Sequence, residues 1–597
     1  STPKPSSAAS DVYKRQLFEQ TLANHDFKYN FKEYTKDVTE LPYSEDGNRI
    51  YYPNVEQMNF EKIPGSPFGY WLSDKTITLI HDNNYFISDV MITREGMATA
   101  DNPRFLRTWE EVDFNKISFN ATSCDDGYKW YPYNKGGGSR KWFGLNNLIV
   151  NYENDGYEIK NNIDTETGRI RSHNYNGDYG LQQGATWSAI SSGSISVRYS
   201  PKGFLFDSKG SMGFSTDLLS VIGLINSNAS MVFLKYISPT LDFKPGHIIQ
   251  IPFIRGTETI EAINNIVEQN IAISKLDWDA HETSWDFHCN ELLSIDAGTF
   301  TENIDYKIEK HFEETGEHIS LSPAAPQLGS LEWRMEQYKT KWERKFMQLH
   351  KNEEELNRQF IDIYGLQDEL TPDVPLHEIT ILQQGEIKIT DQYSLSDNDG
   401  SIFTDSDGAI LTVTGDSYLE WQDDVIMKQL ISYAVGCMLG RYRLDKPGLH
   451  IAHPNPTDDE IAPYEYKGEQ WEIDDDGIMP LMSNDCGFSD NASARFADFI
   501  RVALGNEEHV ANLNYVEQCL GKTLEQYFVK DFWKDHKKMY QNRPIYWLFS
   551  SKKGVFQVIA YMHRMNAYTA ERVRSKYLLP YICLLYTSDA ADEGLGV

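Results

Sequence analysis

Cysteine is scarce in this 597-residue chain: six residues, none of them in a CxxC pair. That scarcity excludes a zinc-finger ligand set and a disulfide scaffold, and it fits a reduced intracellular protein. Long apolar runs are missing too. The best candidate, Leu218–Ile237, is interrupted by Asn226, Ser227, Asn228 and Ser230, so it reads as a buried helix and not as a membrane span. Positive charge is in short supply, 56 Lys+Arg against 88 Asp+Glu, for a formal charge of −32. Such a balance argues against an indiscriminate nucleic-acid binder but not against a local basic patch. What the chain does have is apolar and aromatic mass, 40% and 13% of its residues. That is enough for large cores and too much for disorder, and the length implies roughly two to four domains.

An initiating Met is also missing, and the two ends are related to each other. Residues 583–593, CLLYTSDAADE, can be encoded by codons whose reverse complement encodes SSAASDVYKRQ, residues 6–16. Two ends of a natural protein have no reason to be reverse complements; the pair resembles a sequencing-library adapter translated on both strands. Residues 1–16 and 583–597 are therefore set aside as adapter-derived, as any processing scar would be. Leu17–Ile582 reads as an internal piece of a longer reading frame.

Along that piece, residues 17–60 are polar and tyrosine-rich. Ile63–Trp71, IPGSPFGYW, is a turn cluster that opens a new domain. Up to about residue 255 the chain is rich in Gly, Asn, Tyr and Trp, with β-like runs at Asn147–Tyr152 and Phe204–Asp207 and a turn at Asn154-Asp155-Gly156. One helix interrupts it, marked by Leu218, Leu219, Ile222 and Ile225. Residues 256–365 are helical. There Met335, Tyr338, Trp342, Phe346, Leu349, Leu356 and Phe360 mark one face of a long helix, read equally well as a spacer or as an ordinary core helix. Ile379–Thr414 alternates like short strands, whereas Val425–Leu439, Ala494–Leu504 and most of Tyr515–Tyr577 read as helix. Ile451–Asp490 carries eleven Asp/Glu and one Lys and reads as a solvated loop. The expected fold class is α+β: a β-rich domain, long helices, then a largely helical C-terminal domain.

Charge is unevenly spread. Met91–Gly210 holds fourteen Lys/Arg and fourteen Asp/Glu, a neutral island in an anionic chain. Its cations sit among glycines and aromatics in KWYPYNKGGGSRKWFG (Lys129–Gly144) and RYSPKGF (Arg198–Phe204). Phosphates are engaged by Lys/Arg and backbone N–H groups, glycine lets backbone approach closely, and aromatics stack on bases taken out of a duplex. A β-rich domain with ordinary surface charge and core Trp/Tyr has the same composition.

Local motifs with catalytic meaning are weak. Gly136-Gly137-Gly138-Ser139 lacks P-loop spacing, and Asp296-Ala297-Gly298 lacks the second glycine of a cofactor loop. Asn102-Pro103-Arg104-Phe105 departs from the Asn-Pro-Pro-aromatic loop of amino methyltransferases at Arg104. Asp373 with Glu386 and Lys388 formally fits a nuclease pattern in which carboxylates hold Mg²⁺. Asp405, Asp407 and Gly408 form an acidic turn, but Phe403 stands at the first ligand position of an EF-hand loop. His281, Glu282 and His288 have no zincin spacing.

Longer stretches carry more. IPGSPFGYW, ATADNPRFLRTWEEVDF (Ala98–Phe114), KWYPYNKGGGSRKWFG, VNYENDG (Val150–Gly156), GATWSAISSG (Gly184–Gly193) and RYSPKGFLFD (Arg198–Asp207) occur in this order. They are followed by Asn357–Leu376, Asp424–Leu449 and Asn542–Arg564. Together they resemble the PglX family, adenine-specific DNA methyltransferases of BREX phage-defence systems.

The resemblance implies methyl transfer from S-adenosylmethionine to adenine in double-stranded DNA, in the cytoplasm of a bacterium or archaeon, with other BREX proteins as possible partners and no membrane. It divides the chain into the tail of a truncated methyltransferase domain (17–60), a DNA target-recognition domain (61–255), a helical spacer (256–365) and a largely helical C-terminal domain with acidic insertions (366–582). The catalytic and cofactor residues then lie outside this chain, and the fragment is expected to be inactive alone. Lys129, Lys135, Arg140, Lys141, Arg198 and Lys202 are the expected phosphate or base contacts, with Trp130, Trp142 and Tyr199 along the path of an extruded adenine. The alternatives are a methyltransferase–nuclease fusion using Asp373, Glu386 and Lys388, and a non-enzymatic DNA specificity subunit.

Overall fold

The computed structural model describes residues 72–82, 85–190, 193–238, 242–254, 260–319, 330–396, 403–404 and 410–594. The N-terminal adapter stretch, the 17–60 segment, the Ile63–Trp71 turn cluster and the acidic turn at Asp405–Gly408 lie outside the described residues. Residues 1–84 and 85–597 form two units. In the first, Ser73 caps the helix Asp74–His81, its side chain accepting from the Thr76 N–H.

The second unit begins with two small sheets. Strands β1 (Met91–Arg94), β5 (Gly184–Trp187), β6 (Val197–Ser200) and β8 (Met212–Ser215) pair antiparallel in the order β1-β8-β5-β6. Strands β2 (Leu106–Thr108), β3 (Trp130–Asn134), β4 (Leu148–Asn151) and β7 (Leu205–Phe206) form the order β2-β4-β3-β7, with β3 and β7 parallel. Both β-like runs read from sequence are thus strands. Asn154, Asp155 and Gly156 take three consecutive left-handed conformations, as a sharp turn demands. The aromatics are mainly core: Tyr131, Tyr133, Phe105 and Tyr152 pack with Val150 and Leu205, and Trp109 and Trp130 pack with Ile117 and Ile149.

The apolar run becomes two helices, α1 (Leu218–Asn226) and α2 (Asn228–Ile237), bent by 75°. Ser227 breaks them with an extended backbone, its hydroxyl donating to the Leu224 carbonyl, while the Asn228 N–H is taken by Asn357. No single described helix is long and apolar enough to cross a membrane; this bent pair passes that test by length and composition, and most of it is buried inside the protein.

Helix α3 (Ile260–Asp279), α4 (Ala297–Thr315) and the 34-residue α5 (Leu331–Tyr364) follow. Ser330 caps α5, and Gly365 ends it at a φ of 63°. At 1.5 Å per residue α5 is about 50 Å long. Its apolar face is buried against α1, α2, α3 and α4, so it is the axis of a helical core.

The C-terminal part has α6 (Asp423–Met438), α7 (Ala492–Leu504), α8 (His509–Leu520), α9 (Leu524–Lys530) and α10 (Phe532–Met539). Strands β9 (Ile387–Ser396), β10 (Phe403–Thr404) and β11 (Ile410–Trp421) build an antiparallel ribbon with ten β9–β11 pairs. The sequence reading needs two corrections here. Within the stretch read as helix lies a β-hairpin, β15 (Tyr546–Ser550) with β16 (Gln557–Tyr561), joined by β14 (Ile478–Pro480). Its β-branched and aromatic residues fit a half-buried pleat. The acidic Ile451–Asp490 stretch is also folded: β12 (Tyr464–Tyr466) and β13 (Glu469–Trp471) form a second hairpin, and Trp471, Ile473, Ile478 and Met479 are buried. Its acids ride on an apolar skeleton. The α+β class holds, with helices and five small sheets among the described residues.

Candidate nucleic-acid interface

The loop from Lys135 to Asn147 joins β3 to β4 and carries four of the nine candidate residues, Lys135, Arg140, Lys141 and Trp142. Gly136, Gly137, Gly138, Trp142, Gly144 and Leu145 all have positive φ, which explains the glycines. A Cβ on Gly136 would stand 2.4 Å from the Lys209 carbonyl oxygen, so this glycine permits close approach of two backbones. Trp142 then pairs with the edge of β6: its N–H donates to the Val197 carbonyl at 2.9 Å and its carbonyl accepts from Tyr199 at 2.7 Å. The loop is thereby trapped between a sheet edge and the helices behind it.

That trapping decides where the cations point. Arg140 is buried; it donates to Asp277 on α3 at 2.8 Å, to the Ser274 carbonyl at 2.9 Å and to the Phe143 carbonyl at 2.6 Å. Its guanidinium also lies 5.3 Å over the Trp278 ring. Lys141 is buried and meets Glu353 on α5 at 2.6 Å; the other oxygen of Glu353 accepts from Trp142 Nε1 at 2.7 Å. Arg198 is buried beside them and reaches the Arg140 carbonyl at 3.3 Å. Burial, with Arg140 next to it, holds the Arg198 guanidinium down to about 10. Trp130 is core. These five, expected at a DNA surface, face the interior and are spent on internal partners.

The remaining four are accessible to different degrees. Lys135 is one-quarter exposed and paired at 2.5 Å with buried Asp207, which also accepts from Tyr133. Lys129 is 40% exposed and pairs with exposed Glu153 at 3.3 Å. Tyr199 is half-buried, and burial raises its hydroxyl. Lys202 is exposed and has no carboxylate within 4 Å among the described residues, and the same holds for Lys116, Arg169, Arg171 and Lys209. Arg169 and Arg171 sit on a turn pinned by the Ile163–Ile170 bridge, next to exposed Tyr175 stacked on His173 at 5.2 Å. The fourteen cations are therefore divided between an interior set and a solvent set.

The other motifs have structural explanations. Asp296 caps α4 by accepting from the Thr299 N–H and hydroxyl, so it belongs to no cofactor loop. Asn102 accepts from Thr99, Arg104 pairs with Glu158 and Phe105 is core. Neither segment fits S-adenosylmethionine or a flipped base. Glu386 is fully buried and accepts from His281 at 2.6 Å, from Gln429 at 2.7 Å and from the Gln384 N–H at 2.9 Å. A carboxylate so engaged is not available as a nuclease metal ligand. Among the described residues one group, Asp474, Asp475 and Asp476, brings three potential ligand atoms together. There, however, Lys576 neutralises Asp475 and Asp476, and backbone N–H groups occupy Asp474.

Sequence reasoning missed Asp277 and Glu353, the acids that hold this arrangement, and read Glu386 as a metal ligand where the structure makes it the partner of His281. It also missed Arg441, fully buried in the C-terminal part, whose guanidinium lies over the rings of Trp109, Tyr442 and Tyr540 at 5.3, 5.2 and 5.9 Å. With His563 bonded to the Glu110 carbonyl and Arg543 paired to Glu111 at 2.6 Å, it locks the β-rich part onto the C-terminal part.

No family model matches the sequence. The chain is 36% identical, over 95% of its length, to the adenine-specific methyltransferase PglX of Lacticaseibacillus casei (strain Zhang). It is PglX-like. It is also 32% identical, over 91% of its length, to the adenine-specific methyltransferase BrxX of Escherichia coli O9:H4 (strain HS). The chain spans 43% and 41% of the lengths of these two relatives.

Proposed function

We propose that the chain is the DNA sequence-recognition portion of an adenine-specific, S-adenosylmethionine-dependent DNA methyltransferase of BREX type, working in the cytoplasm of a bacterium or archaeon with other proteins of that system. The observation that carries this reading is the relationship, along nearly the whole chain, to two proteins named adenine-specific methyltransferases. The methyl-transfer chemistry, and the cofactor with it, belong to sequence this chain does not contain, so the chain alone transfers no methyl group.

Within this reading the accessible residues touch DNA. Lys129 and Lys202 meet phosphates, Lys135 does so by leaving Asp207, and Tyr199 lines the path of the displaced base. Arg140, Lys141, Arg198, Trp130 and Trp142 position the loop without touching DNA. The test is binding of the purified chain to duplex DNA by fluorescence anisotropy across a salt series. Each lost phosphate contact lowers the slope of log K against log[salt] by about one. The double variant Lys129→Ala/Lys202→Ala is expected to lose about two. A wild-type chain that binds no duplex at low salt overturns the reading, as does labelled methyl transfer to DNA by the chain alone.

A further inference from the structure

Lys530–Lys553 carries Lys530, Lys534, Lys537, Lys538, Arg543, Lys552 and Lys553 against Asp531 and Asp535, a net charge of +5 in a chain of −32. The segment is α9's last residue, α10 and the β15–β16 hairpin up to its turn. Spacing of three and four residues puts Lys534, Lys537 and Lys538 on one face of α10, opposite Phe532, His536 and Tyr540, which are buried. His536 stacks on Tyr546 at 4.5 Å and fixes α10 against β15. At the hairpin turn, Gln557 Nε2 donates to the carbonyls of Val529 and Gly554, both at 3.0 Å. One nitrogen therefore holds the backbone next to Lys530 against the backbone next to Lys553, and Lys530, Lys552 and Lys553 gather at one end of the strip, all exposed.

Two further facts give the strip a direction and a partner class. Lys530, Lys537, Lys538, Lys552 and Lys553 have no carboxylate within 4 Å among the described residues, so their charge is not spent internally. The strip also touches the β-rich part, since Arg543 pairs with Glu111, two residues before Asp113 in the turn that follows β2. A row of unpaired cations on a part that also contacts the β-rich part, in a chain of −32, matches one chemistry: the regularly spaced phosphates of a duplex.

We propose that this strip is a second, sequence-independent contact with the DNA backbone, in which the C-terminal part grips the duplex flanking the site that the β-rich part reads. The proposal rests on the DNA-recognition reading above. Phosphate contacts of this kind set register and affinity but carry no sequence information.

The test uses the full chain and the variant Lys537→Gln/Lys538→Gln/Lys552→Gln/Lys553→Gln, all exposed or half-exposed positions, with thermal unfolding to show that the fold is kept. The salt slope is expected to fall by three to four, and affinity at low salt is expected to drop at least tenfold on cognate and unrelated duplexes alike. The nuclease footprint is expected to shorten at one end. Wild-type binding with slope, affinity and footprint unchanged in the variant overturns this inference and leaves DNA recognition standing. A wild-type chain that binds no duplex overturns both. A loss confined to the cognate duplex overturns the claim of sequence independence.

Discussion

Arg140 and Asp277 form a 2.8 Å ion pair with side chains only 4% and 1% exposed, although they are 137 residues apart. The pair welds the glycine-rich loop of the β-rich part to the end of α3. Removing one partner strands a charge in the interior, which typically destabilises by about 3–5 kcal/mol. Asp277→Ala also takes away the acceptor of the Leu382 N–H. Urea unfolding of Asp277→Ala is therefore expected to show a loss in that range, with the double variant Arg140→Met/Asp277→Leu much nearer wild type. An unchanged midpoint would mean that Arg140 faces water.

Glu353 serves two partners at once, Lys141 and Trp142. Glu353→Gln keeps an acceptor for the indole N–H but leaves the Lys141 ammonium facing a neutral amide. A double-mutant cycle of Glu353→Gln with Lys141→Met is expected to give a coupling energy of at least about 1 kcal/mol. Additivity of the two changes would deny the ion pair.

His281 predicts a pH dependence. Burial alone would lower its pKa, but the charge and hydrogen bond of Glu386, helped by Asp277, outweigh it and raise the imidazole to about 9. A group whose folded pKa lies above its unfolded value near 6.5 contributes stability that is complete below that value and is lost as pH rises through about 9. The full contribution is about 3 kcal/mol. Unfolding midpoints measured from pH 6 to pH 9.5 are expected to fall for wild type, and to fall much less for His281→Gln.

Two glycines of the same loop separate crowding from backbone strain. Gly144 has φ +123°, and a Cβ there would sit 2.4 Å from Arg140 Nε and 2.8 Å from the Trp278 ring. Gly137 has φ +98° with nothing within 4 Å. Gly137→Ala is expected to destabilise by about 1 kcal/mol, and Gly144→Ala by clearly more than about 2 kcal/mol. Equal melting temperatures for the two variants would contradict the packing around Arg140.

The long helix was legible because its apolar residues recur at helical spacing, and the strands around Leu148 and Leu205 because turns bracket short apolar runs. The hairpin at Tyr546–Tyr561 was hidden by the helices around it, since short apolar runs look alike in either state. The candidate cations were visible as residue types, but their direction was not. A Lys or Arg beside glycine and tryptophan reads as a DNA contact until its counter-charge is known, and Asp277 and Glu353 lie far along the chain. One signal was available. Glu353 falls between Leu349 and Leu356 on the apolar stripe of the long helix, and Asp277 continues the buried series Val267, Asn270, Ser274 on α3. An acid on an apolar stripe asks for a buried cation.

The double anchorage of the Lys135–Asn147 loop on α3 and α5 sets a rule for chimeras. Grafting residues 85–254 of this chain alone into another protein would carry Arg140 and Lys141 without Asp277 and Glu353. A transplant of the β-rich part must carry the two helices along as part of the cassette, or rebuild both acids in the host.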